Sequence, residues 1–270
     1  MRAQPFRFFE NVPVLRTELL SPSQLRIVFG GAPLAGFASG GRDQSLSLFL
    51  PHPGQQKPWV PVDAGENWFA EWRAADPAVR AVMRAYTARE HRPDTSELDI
   101  DFVPHADGGP AARWAARAQP GDRVTILGPC DSDNRSVAFR PPGEAGWVLL
   151  AADETALPAT ASILESLPAG TVAKVWIEVP HQADRRELPT EADAEITWLV
   201  HEDRDRGHIV HAVRAAALPD RRPYAWIAGE SGVVRALRRH LVTERRIPKA
   251  DVTFRGYWRL GATEDDLRNE

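Results

Sequence analysis

A short segment near the middle of the first half of the chain could hold an aromatic ligand that carries phosphate. Arg84, Tyr86 and Thr87 supply a cation, an aromatic face and a hydroxyl close together. Further along, Gly109-Pro110 is a turn of the kind that opens a helix, whose first N–H groups attract phosphate. A flavin presents a flat apolar ring and a charged pyrophosphate, so this combination predicts a flavin site.

The direction in which these side chains point depends on a strand predicted over Val82–Thr87. Because side chains alternate along a strand, Arg84 and Tyr86 would share one face and Thr87 would take the other. Tyr86 could then stack on a ring while Arg84 reaches the phosphates. The same residues also fit a tyrosine packed in a strand beside a surface arginine, and by themselves they leave both interpretations open.

An ordered set of motifs runs along nearly the whole chain, from about residue 14 to residue 261. The first three are Arg84-x-Tyr86-Thr87, Asp101-Phe102-Val103-x-His105 and Gly109-Pro110-Ala111-x-x-Trp114. The later ones are Leu149-Leu-Ala-Ala-Asp153-Glu-Thr155-Ala-Leu-Pro158, Ala228-Gly229-Glu230 and Gly256-Tyr257-Trp258-Arg259. In this order they resemble the motifs of the siderophore-interacting protein family.

The resemblance implies an FAD-dependent ferric-siderophore reductase, related to the ferredoxin-NADP reductases. It implies FAD as cofactor, NADPH or NADH as electron donor and a ferric siderophore as small-molecule substrate. No catalytic side chain is predicted, since the flavin carries the redox chemistry. The cofactor-binding residues that it implies are Arg84, Tyr86, Thr87, Asp101, Phe102, Val103, His105, Gly109, Pro110, Ala111, Ala112, Asp153, Thr155, Ala156, Gly229, Glu230, Tyr257 and Trp258.

Several positions depart from the family pattern. Ser47 stands in the third strand, where members often have a lysine thought to face the siderophore. Ala106 replaces a glycine after His105, Ala112 replaces a serine after Gly-Pro-Ala, and Ala152 replaces a glycine before Asp153. Loss of the serine hydroxyl removes one phosphate contact but leaves the backbone N–H groups, so we expect FAD binding to persist.

Ferric siderophores are commonly anionic, so cations are expected near the flavin. The candidates are Lys57, Arg255 and Arg259, which could also be ordinary surface charges. Three alternatives stay open: an NAD(P)H:flavin oxidoreductase with another acceptor, a non-catalytic flavin- or siderophore-binding protein, and reduction by ferredoxin instead of a nicotinamide.

The composition is typical of a globular protein without nucleic-acid or membrane partners. Of the 270 residues 43% are hydrophobic and 26% charged, and the formal net charge is −4, whereas a nucleic-acid binder normally carries a basic face. The first residues form no apolar signal region and no run approaches the ~20 apolar residues that span a bilayer, so we expect a cytoplasmic protein.

Cys130 is the only cysteine, which excludes an internal disulfide and a four-thiolate iron–sulfur cluster. The histidines are scattered, so no metal site is predicted.

The secondary-structure pattern changes at a Pro/Gly-rich linker over residues 140–146. Before the linker, alternating segments such as Ser45–Leu50 and Glu97–Phe102 predict an antiparallel FAD-binding β-barrel domain over residues 1–142. After it, strands alternate with helices and predict a mostly parallel α/β NAD(P)-binding domain over residues 143–270. Such sheets bind ligands at the carboxyl ends of their strands.

In the second domain, the turn Asp153-Glu-Thr155 follows the first strand, where a dinucleotide pyrophosphate is expected. The G-x-G-x-x-G fingerprint is absent, which argues against an ordinary Rossmann dehydrogenase. We expect Asp153 and Thr155 to cap the following helix, and the resemblance adds ligand contact to that role. Arg235 and Arg238 either bind the 2′-phosphate of NADPH or form a solvated helix face.

Overall fold

The computed structural model describes residues 5–104, 108–201 and 207–262. The chain forms two compact units. The first contains the chain up to Leu20 and Leu25–Val137, and the second contains the turn Ser21–Gln24 and the chain from Ala138 onward. The predicted domain boundary after residue 142 stays a prediction. Among the described residues, no helix combines the length and the apolar character needed to cross a membrane.

The first unit is built on a seven-stranded sheet. Its strands are β1 (Phe6–Ser21), β2 (Gln24–Gly30), β3 (Ser45–Leu50), β4 (Val82–Thr87), β5 (Glu90–Arg92), β6 (Glu97–Phe102) and β7 (Arg123–Pro129). They are ordered β4-β3-β7-β1-β2-β6-β5, and the registered pairs are antiparallel. Tyr86 on β4 packs against Phe102 on β6, so strands near opposite ends of this order meet. The sheet therefore closes into the predicted barrel.

Two clusters of buried side chains fill the first unit. The barrel core contains buried residues from five of the strands, including Phe9, Phe29, Leu48, Phe102 and Ile126, which are almost completely buried. A smaller aromatic cluster surrounds Phe49 and Trp72. Helix α1 (Trp68–Ala74) contributes to this second cluster, and helix α2 (Pro110–Ala115) packs against the barrel core.

The sequence pattern predicts the first strand over Val14–Leu20, whereas β1 begins at Phe6. The structure shows a shift of register between Phe9 and Val12 in the pairing of β1 with β7. Asn11 lies inside that shift with a φ of 55°. Asparagine tolerates this left-handed conformation, which permits a bulge in the strand. The bulge interrupts the alternation of apolar residues, so the first part of β1 was missed.

The second unit is a parallel α/β sheet. Its elements are β8 (Trp147–Asp153), α3 (Leu157–Ser166), β9 (Val172–Val179), β10 (Asp193–Val200), α4 (His208–Ala215), β11 (Pro223–Glu230), α5 (Ser231–Arg239) and β12 (Val252–Trp258). The strand order is β10-β9-β8-β11-β12, and every neighbouring pair is parallel. The predicted architecture, a barrel followed by a parallel α/β unit, is confirmed.

Apolar side chains cover both faces of this sheet. Along β8, Val148 and Leu150 join the core cluster that contains α3, while Trp147 and Leu149 join the cluster that contains α4 and α5. A strand buried on both faces is expected to be apolar, as β8 is from Trp147 to Ala152, before it ends in Asp153. The apolar stripe of Val233, Val234, Leu237 and Leu241 predicts a helix over residues 233–244. In the structure α5 begins earlier, at Ser231, and continues past Arg239 as a π-helical turn over His240–Glu244.

Candidate functional site

Tyr86 lies on β4 with one side of its ring supported by the barrel core. The ring centroids of Tyr86 and Phe102 are 4.4 Å apart, at an interplanar angle of 45°. Phe102 is fully buried, so its side chain supports Tyr86 and does not reach a ligand itself. Tyr86 is half-buried. A partly exposed ring held from behind by a core ring is a suitable platform for stacking.

The residues around Tyr86 alternate as predicted for a strand. Val82 and Tyr86 pack against the barrel core, whereas Met83 packs against the smaller aromatic cluster. Arg84 therefore lies in register with Tyr86, and its Nη1 donates a hydrogen bond of 2.8 Å to the carbonyl oxygen of Met83. Thr87, one position further, is buried.

Asp101 forms an ion pair inside the first unit. Its carboxylate accepts hydrogen bonds from Arg26, from Nε at 2.7 Å and from Nη2 at 2.9 Å. The Asp101 side chain is completely buried. Because Arg26 occupies both of its oxygens, the structure supports a role in positioning β6 against β2 for this predicted cofactor residue. Val103 is half-buried beyond the end of β6, and His105 lies outside the described residues.

Helix α2 begins with the Gly-Pro turn that the sequence predicted. Gly109 is its N-cap residue, Pro110 is at the start, and within the described part of the chain no side chain caps the first turn. Gly109 and Pro110 are exposed, while Ala111 is buried and Ala112 half-buried. Arg113 Nη1 donates a hydrogen bond of 2.5 Å to the carbonyl oxygen of Gly108. This bond holds the guanidinium of Arg113 at the start of its own helix.

A cavity of about 1060 Å³ lies beside α2 in the first unit. We call it the β4–α2 cavity, because Val82 begins β4 and Pro110 begins α2. Its cationic lining residues are Lys57, Arg113, Arg117 and Arg123, and its acidic lining residue is Asp122. Trp114 gives it an aromatic wall, and the loop over residues 51–57 forms another side.

These residues fit the chemistry of a flavin dinucleotide. The flat ring needs an aromatic platform, which Tyr86 offers. The pyrophosphate needs cations and N–H donors, which Arg84, Arg113 and the first backbone N–H groups of α2 could provide. Arg113 was not among the predicted site residues. The available signal for Arg113 was its position four residues after Gly109, inside the Gly-Pro-Ala-x-x-Trp motif.

In the second unit, Asp153 ends β8 as an acceptor for several donors. Its Oδ1 accepts from the Thr155 N–H at 2.9 Å and from Thr155 Oγ1 at 2.5 Å. Its Oδ2 accepts from the Glu230 N–H and from Trp258 Nε1, both at 2.8 Å. Burial raises the pKa of Asp153 to about 6, the nearby Glu154 adds to the rise, and the hydrogen bonds from Thr155 and Trp258 oppose it. The carboxylate therefore joins the ends of β8, β11 and β12.

The expectation that Asp153 and Thr155 cap α3 is wrong. The N-cap residue of α3 is Ala156, and no side chain caps that helix. The Asp153 carboxylate instead accepts a hydrogen bond from the backbone N–H of Thr155 and another from the Thr155 hydroxyl. The reason is geometric: the turn places both side chains before the helix and directs them to each other. Among the described residues, no capping hydrogen bond from a side chain is found at the start of α3.

Gly229 and Glu230 have structural roles at the end of β11. Gly229 has a φ of 140°, and a Cβ there would lie 2.5 Å from Asp153 Oδ2. Glu230 is the N-cap of α5, since its Oε2 accepts from the N–H groups of Gly232 and Val233 at 2.6 and 2.8 Å. Its carboxylate therefore occupies the position at α5 that a phosphate would need.

Glu178, near the end of β9, acts in the same way on α4. Its Oε1 accepts from the N–H groups of Gly207 and His208 at 3.0 and 2.8 Å. Burial raises the pKa of Glu178, and these two bonds oppose the rise. Among the described residues, Glu178 and Glu230 accept hydrogen bonds from N–H groups at the starts of α4 and α5, whereas the Asp153 carboxylate accepts from Thr155, the residue before the N-cap of α3.

The predicted substrate residues belong to different units. Lys57 lines the β4–α2 cavity, while Arg255 is exposed on β12 and Arg259 follows it half-buried. Tyr257 packs against the core cluster of the second unit. The guanidinium of Arg238 lies 4.5 Å from the ring centroid of Phe254. No group of three potential metal ligands occurs within the described ranges.

Comparisons with known proteins agree with the two units. The family model described as the siderophore-interacting FAD-binding domain matches residues 13–133. The model described as the siderophore-interacting protein matches residues 145–261.

Whole-chain similarities support the same assignment. The chain is 31% identical to the ferric vibriobactin reductase ViuB of Vibrio cholerae over 95% of this chain and 91% of that protein. It is 32% identical to an NADPH-dependent ferric-chelate reductase of Escherichia coli over 93% of this chain and 92% of the relative. The crystal structure of the siderophore-interacting protein SipS from Aeromonas hydrophila aligns with a TM-score of 0.79 at 30% identity, covering 98% of this chain and 96% of that one. By motif, sequence and structure, this chain belongs to the siderophore-interacting protein family.

Proposed function

We propose that this protein is an FAD-dependent reductase that uses NADPH to reduce the iron(III) of a ferric siderophore. The observation that carries the proposal is the supported ring of Tyr86 on the same strand face as Arg84, next to a cationic cavity. Membership of the family, and the reductases among the relatives of this chain, support it further. Because NADPH is a cytoplasmic reductant, the proposed reaction takes place in the cytoplasm.

FAD, when bound, would supply the redox chemistry that connects a two-electron hydride donor with a one-electron iron(III) acceptor. The chain contributes position and charge. Tyr86 would support the flavin ring, and Phe102 holds Tyr86 in place. Arg84 and Arg113 balance the charge of the pyrophosphate, for which Arg is well suited because it binds phosphate in a bidentate manner.

In the second unit, the proposed donor binds at the carboxyl ends of the strands, as ligands of open parallel sheets do. The uncapped start of α3 receives its pyrophosphate, since Glu178 and Glu230 already cap α4 and α5. Asp153 is a positioning residue there. It fixes the backbone of Glu230 and the indole of Trp258, and its own oxygens are occupied by these donors.

The reaction requires no general acid or base from the protein. Hard oxygen ligands hold iron(III) more tightly than iron(II), so one electron is sufficient to weaken the chelate. The absence of a G-x-G-x-x-G motif is compatible with this assignment because α3 offers its donors without a glycine-rich turn.

An anaerobic titration tests the proposal. The purified protein, reconstituted with FAD, is titrated first with NADPH and then with NADH while its visible spectrum is followed. A ferric tris-catecholate or a ferric tris-hydroxamate is then added, together with a chromogenic iron(II) chelator. We expect the flavin bands to bleach with NADPH and to return as iron(II) appears.

Other outcomes separate the alternatives. If the flavin stays oxidised with both nucleotides but is reduced by reduced ferredoxin, the electron donor is ferredoxin and not NADPH. Bands that stay oxidised with every donor would indicate a binding protein and would overturn the reductase assignment. If the flavin bands bleach with NADPH but neither ferric chelate reoxidises the flavin, the protein is a flavin reductase that uses a different electron acceptor.

A further inference from the structure

The amino ends of the strands of the second unit lie together at one edge of its sheet. Asp193 pairs with Val172 and Pro223 with Trp147, so β10, β9, β8 and β11 begin at the same level. Because α3, α4 and α5 return the chain from the carboxyl ends of strands to the amino ends of others, these helices end here as well. We call this edge the amino edge. It is opposite to the carboxyl edge, where ligands of parallel sheets bind.

The end of the amino edge at β11 and β12 is strongly basic. Residues 207–262 contain eleven Lys and Arg but only four Asp and Glu, although the whole chain has a formal charge of −4. Six of these cations are exposed at the end of α4 and in the two loops that lead to β11 and β12: Arg214, Arg221, Arg222, Arg245, Arg246 and Lys249. Positive charge is therefore concentrated at this end of the edge.

Hydrogen bonds hold the basic end together and leave part of its charge uncompensated. Arg245 Nη2 donates to the carbonyl oxygens of Arg214 and Ala216, both at 2.9 Å, which joins the loop before β12 to the end of α4. Arg222 Nε lies 2.7 Å from the carboxylate of the buried Asp251. Within the described part of the chain, three exposed side chains at this end form no hydrogen bond or ion pair: Arg221, Arg246 and Lys249.

The end of the same edge at β10 is acidic. Glu191 and Asp193 are exposed at the start of β10, and within the described ranges their carboxylates form no hydrogen bond or ion pair. Glu195, further along β10, is also exposed and lies 2.7 Å from Lys174 Nζ. Strands β10 and β12 are four strand spacings apart, about 19 Å. The amino edge is therefore negative at one end and positive at the other.

The centre of the amino edge carries small, uncharged residues. The turn from α3 to β9 exposes Pro168, Ala169 and Gly170. Glu144, beside the start of β8, is paired with Arg222 at 3.1 Å. An uncharged centre bordered by charged groups is the common composition of a protein–protein interface.

A twofold axis through the centre of this edge would place the basic end of one copy on the acidic end of the other, and the reverse. Such a contact uses the same surface on both chains and closes on itself. We propose that the amino edge binds the amino edge of a second copy of this chain. The two charged contacts fix the register of the pair and speed its association. The proposal is independent of the reductase function, because the proposed donor binds at the opposite edge.

Two charge-reversal variants test this surface. Arg246→Glu/Lys249→Glu reverses the basic end, and Glu191→Lys/Asp193→Lys reverses the acidic end. Sedimentation velocity of the full-length protein over a range of concentrations measures the association. We expect the parent to reach twice the mass of one chain at about 0.1 M salt and to dissociate at about 1 M, where salt screens the charges. Each variant alone should have a dissociation constant at least about tenfold higher, because like charges would then face each other.

An equimolar mixture of the two variants separates this interface from any other. The reversed basic end of one variant would meet the reversed acidic end of the other, and their unchanged ends would meet as in the parent. We therefore expect the mixture to associate with the affinity of the parent, although neither variant does so alone.

The matched control is Arg135→Glu/Arg185→Glu, which changes the charge by the same amount at two exposed arginines outside the amino edge. It should keep the affinity of the parent for itself. Thermal unfolding followed by circular dichroism checks that each variant is folded. Reduction of bound FAD by NADPH should be unchanged in every variant, and failure of that reaction in the parent would overturn the proposed function but not this interface.

Four results would overturn the inference. The first is a parent that stays monomeric at every concentration in low salt. The second is association that neither salt nor charge reversal weakens, because another surface would then hold the chains together. The third is a mixture that stays dissociated, which would show that the two ends do not face each other. The fourth is a monomeric parent that cosediments with phosphatidylglycerol vesicles unless the basic end is reversed, which would make an anionic bilayer the partner.

Discussion

The indole of Trp258 donates a hydrogen bond of 2.8 Å to the carboxylate of Asp153, a residue 105 positions earlier. The two residues end β12 and β8, which are not neighbours, because β11 lies between them. The backbone of Glu230, at the end of β11, donates to the same carboxylate oxygen. One buried side chain therefore sets the relative position of three strand ends at the edge where parallel sheets bind ligands.

Asp153→Asn should destabilise the second unit even though it removes a buried charge. The amide can accept at one oxygen only, so its NH2 group would face donors that Asp153 now satisfies. We expect a loss of about 2 kcal/mol in the free energy of unfolding, within the range for a buried donor left unpaired. Urea unfolding followed by tryptophan fluorescence measures it. Unchanged stability would show that these four bonds do not hold the edge together.

The stability contributed by Asp153 should depend on pH. Its folded pKa of about 6 lies above the ordinary value of 3.8, because burial disfavours the charged form. The folded state therefore holds the proton more tightly, and stability falls as the pH rises between these two values. The difference in unfolding free energy between the parent and Asp153→Asn should shrink over that window and stay constant above it. A difference that grows with pH would contradict this assignment.

Gly229→Ala should be far more damaging than a typical glycine substitution. The φ of 140° is unfavourable for alanine, and the added Cβ would lie 2.5 Å from Asp153 Oδ2. Gly170→Ala is the matched control in the same unit, with a φ of 77° and no atom within 4 Å of the added Cβ. The control should cost about 1 kcal/mol of unfolding free energy and Gly229→Ala at least about twice that. Equal costs would mean that Asp153 can move away without penalty.

Asp101→Asn distinguishes a structural role from a cofactor contact. Removing the charge leaves Arg26 without its bidentate partner, and breaking a buried pair in this way costs about 3 kcal/mol. We expect a lower midpoint of urea unfolding and an unchanged affinity of the folded protein for FAD. Weaker FAD binding at unchanged stability would instead show that Asp101 contacts the cofactor, as the sequence motif suggested.

Tyr86→Ala should weaken the retention of FAD, because the flavin ring would lose its stacking partner. We expect an affinity about tenfold lower, from the loss of one aromatic stacking contact. Tyr86→Phe keeps the ring and its contact with Phe102, so it should retain most of the affinity. The ratio of flavin absorbance to protein absorbance after gel filtration measures both variants. Full occupancy in Tyr86→Ala would remove Tyr86 from the site.

Much of the fold could be predicted because the relevant signals are local. The predicted bounds of β3, β4 and β6 coincide with those in the structure, since alternation and flanking turns define them. The alternation of strands and helices likewise predicted the parallel sheet. The start of β1 was missed because the bulge at Asn11 interrupts the pattern that was being sought.

The roles of individual site residues were harder to predict because their partners are distant in the sequence. Asp101 belongs to a recognised motif, but its ion pair joins it to Arg26, 75 positions earlier. Asp153 was expected to cap α3, and no local pattern indicates that Trp258 and Glu230 are its donors. The motif Gly109-Pro110-Ala111-x-x-Trp114 leaves the residue type at Arg113 unspecified, and only the structure shows its hydrogen bond to Gly108.

The arrangement around Asp153 also bears on how the chain folds during translation. Asp153 leaves the ribosome long before β12 is synthesised, so its carboxylate must wait for the donor on Trp258, which comes 105 residues later. Strand β11 likewise lacks its outer neighbour until β12 emerges. A nascent chain that stalls at this stage would carry a buried acid with an incomplete set of partners. The second unit therefore completes its fold only when the last strand has been made, whereas the first unit already has all of its strands by Pro129.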